Sequence, residues 1–179
     1  GIMAIGLYIT YKVLDFADLT VDGSMVTGAA VCAIMVTSGI NVWVAMLCAL
    51  LAGAVCGLIT GIFHTLMGIP AILSGILTQL LLWSVNLKIL GKSNLSHFGV
   101  IISQLNTGLA IAVAAAFVAV LIGVLYWFFG TERGCSIRAT GNNPNMSRAQ
   151  GINTSLNIVL GLMLSNAVVA LSGALLAQY

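Results

Sequence analysis

The feature that most constrains this chain is a run of 65 residues, 23–87, that contains no Asp, Glu, Lys or Arg. Two further uncharged runs cover residues 93–131 and 149–179. One helical crossing of a hydrocarbon core about 30 Å thick takes roughly 20 residues. The first run is therefore long enough for about three crossings, and each of the others for one. A water-soluble helix would also carry a polar face at helical period, and these runs do not. They predict helices embedded in a lipid bilayer.

The overall composition supports an all-α membrane protein. The chain is 60% hydrophobic and 6% charged, whereas soluble domains are about a quarter charged. A net charge of +2 from six basic residues gives no footprint for nucleic acid. The four cysteines contain no CxxC pair, so we expect neither a disulfide framework nor a metal site.

Polar and turn-forming residues divide the apolar sequence into spans. We place these spans at about 1–14, 24–40, 42–66, 70–91, 107–130 and 154 to the end. The connector 92–106 is too polar to lie in lipid. The apolar pattern is uninterrupted at both ends of the chain, so we expect it to be a piece of a longer membrane protein.

Small and polar residues inside the spans predict how the helices pack. Gly53, Gly57 and Gly61 repeat every four residues and should let a second helix approach closely. Gln79, Asn86 and Asn166 also lie within spans, where hydrogen bonding between helices is the expected role and substrate contact is the alternative.

The first polar island, residues 15–24, carries three carboxylates between apolar segments. It is either a polar loop at the membrane surface or a lining for a water-filled path at an interrupted helix. Gly23 and Ser24 follow Asp22, a pattern that indicates a helix start. We therefore predict that Asp22 caps the free N–H groups of the 24–40 span and complements its dipole.

The second polar island, residues 131–153, encodes a short helix. Asn142 or Asn143 can cap its start, Pro144 suits its first position, and Gly151 suits the position just past its end.

A helix of about two turns is not stable alone in water and must dock on something. Its docking surface is either its own bundle or another subunit. Met146 and Ala149 lie three residues apart and can share a face, while Arg148 points elsewhere.

The basic residues bear on orientation in the membrane. Arg133, Arg138 and Arg148 lie in the second island, which the positive-inside rule would place in the cytoplasm. Lys88 and Lys92 then fall on the outer side. A margin of three to two leaves the orientation open.

Two motifs in these islands resemble a known family. The order Arg138-Ala-Thr-Gly-Asn-Asn-Pro-Asn-Met-Ser-Arg-Ala-Gln-Gly-Ile-Asn153 resembles the cytoplasmic coupling loop of the ABC permease superfamily that serves branched-chain amino acids, ribose-type sugars and related solutes. Asp18-Leu-Thr-Val-Asp-Gly-Ser24 is similar to the D-L-[ST]-V-[DG]-G-S signature of that family. Its Thr-Val-Asp form is nearest to the poorly characterised branch that includes tryptophan and tyrosine importers. Ser147 stands where the wider family usually has Ala.

The resemblance implies a single transmembrane permease domain over residues 1–179, part of a longer permease, with a multi-span helix bundle and a short cytoplasmic coupling helix in the loop 131–153. Asp18, Thr20, Asp22 and Ser24 would lie near the substrate pathway. The residues that couple to the ATPase would be Arg138, Gly141, Asn142, Asn143, Pro144, Met146, Arg148, Ala149 and Gly151.

The same resemblance implies the partners. A cytoplasmic ABC ATPase subunit would bind ATP, so this chain would carry no cofactor and would not be an enzyme. An extracytoplasmic solute-binding protein would deliver the substrate, and a second copy of the permease would complete a homodimer in the bacterial plasma (inner) membrane. By analogy alone, the solute is expected to be an aromatic or otherwise hydrophobic amino acid.

Two other functions compete with this one. An ion-coupled secondary transporter would use the carboxylates of the first island to bind protons or sodium. An intramembrane enzyme would need a nucleophile and base, or paired metal ligands, and the sequence shows no such set. Gly91-Lys92-Ser93 echoes the end of a P-loop, but Asn86 stands where the first glycine is required, so we read it as a chance match.

Overall fold

The computed structural model describes residues 1–90 and 107–178. In chain order, the elements are α1 (Ile2–Tyr8), a π-helical turn (Ile9–Val13), α2 (Val21–Thr37), α3 (Val42–Thr65), α4 (Ala71–Leu90), α5 (Thr107–Gly130), α6 (Glu132–Asn142), α7 (Pro144–Ala149) and α8 (Thr154–Leu176). The predicted polar connector 92–106 and the tripeptide 91–93 lie outside the described residues.

Among the described residues, four helices are long and apolar enough to cross a membrane. They are Val42–Thr65, Ala71–Leu90, Ile111–Gly130 and Thr154–Leu176, which agree within a few residues with four of the predicted spans. The apolar helices Ile2–Val13 and Val21–Thr37 are shorter. Because a helix satisfies its backbone hydrogen bonds internally, it can cross lipid without exposing polar groups. The prediction of an all-α membrane bundle is confirmed.

Helix α8 lies at the centre of the bundle, and α3 packs along it through the predicted glycine face. A Cβ added at Gly57 would overlap the backbone of Leu162, and one added at Gly61 would lie 2.9 Å from Val159. Such small residues allow two helix backbones to come close enough for extensive dispersion contacts, which hold helices together in lipid. The predicted glycine-mediated contact is therefore confirmed.

The start of α2 lies at the middle of the bundle. Asp18, just before α2, contacts Asn166, and Cys32 near its end contacts Gln178, so α2 and α8 run in the same direction. Counting from Thr154, Asn166 is the thirteenth of the 23 residues of α8. The chain therefore enters α2 about halfway along a helix that is long enough to span the membrane.

Two predictions about local structure are wrong. Helix α2 begins at Val21 rather than at residue 24, and the second island is not a loop around one short helix, because it also contains α6 (Glu132–Asn142). We predicted a loop because residues 132–142 are polar. They are polar because α6 lies beside the apolar bundle, and their backbone is a regular helix. Its Arg, Ala and Ile residues are compatible with a helix.

Candidate functional site

Residues 14–20, which we call the entry segment, carry the first island into the bundle. Leu14, Phe16, Asp18 and Thr20 are buried, whereas Asp15 and the other odd-numbered residues are more exposed. Burial thus alternates with a period of two, although the backbone is not a strand, because the Asp18 amide donates to the Phe16 carbonyl at 3.0 Å and closes a tight turn. The Phe16 amide donates to the carbonyl of Thr10 at 3.0 Å. Irregular backbone at membrane depth is tolerated where it is buried in protein in this way.

The Asp18 carboxylate accepts hydrogen bonds from two directions. Oδ1 accepts the backbone N–H of Thr20 at 2.8 Å, and Oδ2 accepts the side-chain amide of Asn166 at 2.8 Å. Asp18 is 1% exposed. Because a buried carboxylate is costly without donors, these two bonds fix both the start of α2 and its position against α8.

The structure corrects the role predicted for Asp22. Thr20 is the N-cap residue of α2, and Asp22 lies in the first turn, where its side chain is exposed. The Thr20 carbonyl accepts the Ser24 amide at 2.9 Å. Asp22 cannot cap a helix that begins before it, and Asp18 binds the amide of the N-cap residue instead. The charge of Asp22 still lies at the positive end of the helix dipole.

The two hydroxyl residues of the first island are fully buried. Thr20 Oγ1 lies 2.9 Å from Thr60 Oγ1 of α3, and Ser24 Oγ donates to the Val21 carbonyl at 2.9 Å. Of the four pathway candidates, the structure therefore brings Asp18, Thr20 and Ser24 into the protein interior. It leaves Asp22 at the surface.

Asn86 bonds between helices, as predicted, and Asn166 bonds to the entry segment instead. Asn86 donates to Thr27 Oγ1 at 3.0 Å, and Asn166 donates to Asp18. The Oδ1 atoms of both side chains are buried and, within the described residues, accept no hydrogen bond. Each such atom costs about 1–3 kcal/mol relative to a satisfied group. The pairing of Asp18 with Asn166 could not be found from the sequence, because 148 positions separate the two residues.

The start of α7 has the predicted cap. Asn143 Oδ1 accepts the Met146 amide at 3.1 Å, and Pro144 occupies the first turn of the helix. Proline there has the φ angle that the helix requires and lacks an amide that would have no partner. Of the two asparagines considered, Asn143 is the cap.

The end of α7 also matches the prediction. Gly151 adopts φ +81°, the left-handed conformation that glycine adopts without strain. Its amide donates to the Arg148 carbonyl at 3.0 Å, and the Ile152 amide donates to the Ser147 carbonyl at 3.0 Å. These two bonds form a Schellman motif, so a six-residue helix is closed at both ends.

Side chains fasten α6 and α7 to the bundle. Arg148 Nε donates to Thr154 Oγ1 of α8 at 2.9 Å. Asn157 of α8 donates to Ser136 Oγ at 2.7 Å and to Thr140 Oγ1 at 3.0 Å. These contacts could not be predicted from the sequence, since each joins residues on different helices.

The predicted coupling residues divide by exposure. Met146 is 60% exposed, and Gly141 is partly buried. The other exposed members are Arg138, Asn142, Asn143, Pro144, Arg148, Ala149 and Gly151. Helices α6 and α7, which we call the docking unit, thus present most of these residues outward and are held from behind by α8.

Comparisons with known proteins agree with these features. Residues 1–179 match the family described as branched-chain amino acid transport system / permease component. The chain is 44% identical to a tyrosine transport system permease protein of Clostridioides difficile, over 100% of this chain and 61% of that protein. It is 33% identical to an uncharacterized protein of Rickettsia prowazekii, over 98% of this chain and 63% of that protein.

A more distant relative is the galactofuranose transporter permease protein of Escherichia coli, which is 25% identical over 89% of this chain and 48% of its own length. The chain thus spans less than two thirds of the length of these curated relatives. No solved structure is a significant match.

Proposed function

The chain belongs to the family of branched-chain amino acid transport permease components, and on that premise we propose that it forms the membrane-spanning subunit of an ATP-driven importer. A permease component is a transport subunit rather than an enzyme, and its several apolar helices make it a multi-pass membrane protein. In our proposal it lies in the bacterial plasma (inner) membrane and moves a small solute by alternating access.

The observation that carries this proposal is the docking unit. Helix α7 is too short to be stable alone, yet Asn143 caps its start and Gly151 closes its end. Met146 remains 60% exposed. A rigid, outward-facing helix of this kind suits a cleft on a cytoplasmic ATPase subunit. ATP would then be bound by that partner, and no cofactor would be needed in this chain.

The first island supports a pathway in the middle of the bundle. Asp18, Thr20 and Ser24 are buried, so in this conformation they lie behind the protein surface that would line the pathway. Asp22 is exposed at that surface. We propose that the substrate passes along this surface, and that Asp18, Thr20 and Ser24 become accessible to it only when the permease changes conformation.

The family and the tyrosine transport permease of Clostridioides difficile support a proposal for the substrate and the remaining partners. We propose an amino acid, with an aromatic one as the first solute to test. An extracytoplasmic solute-binding protein delivers it, and a second copy of the permease completes the transporter.

An ion-coupled secondary transporter is the second candidate, and the buried carboxylate of Asp18 is the observation that favours it. Intramembrane carboxylates are common members of proton and sodium relays. In such a transporter the docking unit would have no ATPase to bind.

Replacing Asn142, Asn143 and Pro144 with a Gly-Ser-Gly segment tests the proposal in the full-length transporter. We expect uptake per ATP hydrolysed to fall sharply, because the start of α7 would lose its cap and its proline. The matched control replaces residues 38–40, an exposed turn between α2 and α3, in the same way and should preserve the ratio. Normal coupling in the first variant would contradict the assignment of α7.

A further inference from the structure

The docking unit touches the entry segment directly. Near the end of α6, a Cβ added at Gly141 would overlap the Val13 carbonyl and lie 3.0 Å from Leu14 Cα. One turn earlier, Ile137 is 2% exposed and packs in one buried cluster with Leu14, Phe16 and Leu162. A displacement of α6 must therefore move the entry segment or break these contacts.

The other end of the entry segment reaches the buried polar cluster, which we define as Asp18, Thr20, Thr60 and Asn166. Asp18 lies only two residues beyond Phe16, and both side chains are buried. The Asp18 amide donates to the Phe16 carbonyl at 3.0 Å, which closes a tight turn between the two residues, so little slack separates the apolar contacts of Phe16 from the hydrogen bonds of Asp18.

The buried polar cluster is held by few bonds. One bond joins Asp18 to Asn166, a second joins the Thr20 amide to Asp18, and a third joins the hydroxyls of Thr20 and Thr60. The Asn166 Oδ1 atom accepts no hydrogen bond within the described residues. Packed interfaces tend to have discrete alternative arrangements rather than continuous ones. A small displacement of the entry segment can therefore break these hydrogen bonds together and replace them with another arrangement.

The backbone just before the entry segment, and at its second residue, is unusual. Residues 9–13 form a π-helical turn, a feature found in short pieces and frequently at functional sites. Asp15 has φ +52°, which is uncommon for a residue other than glycine. The chain thus changes direction at Asp15, immediately after the residue that α6 contacts.

We infer that the entry segment is the mechanical link between the docking unit and the buried polar cluster, with Ile137 and Phe16 as the positioning residues that transmit the movement. This inference rests on the proposed function. Closure of the ATPase on α7 shifts α6, Ile137 carries Leu14 and Phe16 with it, and the hydrogen bonds that Asp18 accepts from Asn166 and from the Thr20 amide open.

The test uses the full-length permease assembled with its ATPase in lipid nanodiscs. Hydrogen exchange of backbone amides is measured for peptides covering residues 16–21, without nucleotide and with ATP plus vanadate. In the wild type, ATP should speed exchange of the Thr20 amide about tenfold, the change expected when one buried hydrogen bond opens.

The variant Ile137→Ala removes most of the Ile137 side chain from its buried cluster with Leu14, Phe16 and Leu162. We expect the ATPase to remain bound and the ATP-dependent change to shrink below about twofold, since only the backbone contact at Gly141 would still join α6 to the entry segment. The matched control is Ile122→Ala on α5, where the side chain is 51% exposed, and it should keep the full change. A purely structural role for Ile137 would alter exchange equally with and without ATP.

The milder variant Ile137→Val keeps the test usable if the alanine variant does not fold, and it should reduce the ATP-dependent change partially. The inference is overturned if ATP leaves wild-type exchange unchanged, or if Ile137→Ala or Ile137→Val retains the full response. Failure of the ATPase to bind the wild-type permease would instead refute the proposed function, so the two failures are distinguishable.

Discussion

Removing the residues that close the two ends of α7 tests whether they hold this short helix in place. Asn143→Ala loses the bond from the Met146 amide, 3.1 Å long, which costs about 1 kcal/mol. Gly151→Ala places a Cβ on a residue at φ +81°, and this also costs about 1 kcal/mol. An added Cβ at Gly151 meets no atom within 4 Å, so the cost there is backbone strain alone.

The two changes lie at opposite ends of α7 and share no hydrogen bond, so their effects should add to about 2 kcal/mol in the double variant. One kcal/mol corresponds to a factor of about 5 in an equilibrium, and two correspond to about 30. The equilibrium constant for local opening of α7 should therefore rise about fivefold in each single variant and about thirtyfold in the double variant.

Hydrogen exchange of the amides at residues 146–152 in the full-length permease measures this opening. The control is Asn145→Ala, an exposed position inside α7 where alanine favours the helix, and it should not exchange faster than the wild type. Equal rates in Asn143→Ala, Gly151→Ala and Asn145→Ala would refute the reasoning that the caps hold α7.

Three further predictions concern the bundle. Gly57→Ala should lower the thermal unfolding midpoint in detergent, because the new Cβ overlaps the α8 backbone and overpacking costs about 1–3 kcal/mol; Gly123→Ala, which meets no atom within 4 Å, should not lower it. Asp18→Asn should destabilise by about 1–3 kcal/mol, since two amide donors would then face each other. Asp22→Asn, measured by the same assay, should lose only about 0.3–1 kcal/mol of dipole stabilisation, and equal losses in the two variants would contradict the conclusion that Asp18, and not Asp22, fixes the start of α2. Asn86→Leu should be neutral or stabilising, because it removes one hydrogen bond together with a buried oxygen that lacks a donor; a loss above about 2 kcal/mol would show that this oxygen is satisfied.

Features determined by local chemistry could be predicted from the sequence. The spans followed from apolar runs long enough to cross a bilayer. The ends of α7 followed from Asn143, Pro144 and Gly151, whose effects on backbone conformation act within a few residues. The glycine face of α3 was also predictable, because its period alone places three small residues on one side of a helix.

Features determined by contacts between distant residues could not be predicted. Asp22 has the spacing of a capping residue, yet Asp18 binds the Thr20 amide because Asn166 holds it there. Gly141 gave no sign that it contacts Val13. The entry segment resembles a polar loop in sequence, and only burial against α8 shows that its even-numbered residues face inward.

The most direct test of the central claim is uptake of labelled tyrosine into proteoliposomes that contain the full-length permease, its ATPase and its solute-binding protein. Ion gradients are collapsed with ionophores while ATP is kept high, and in a second set the gradients are kept and ATP is withheld. An ATP-driven permease predicts uptake in the first set and none in the second. Uptake that stops when the gradients collapse and continues without ATP would contradict it.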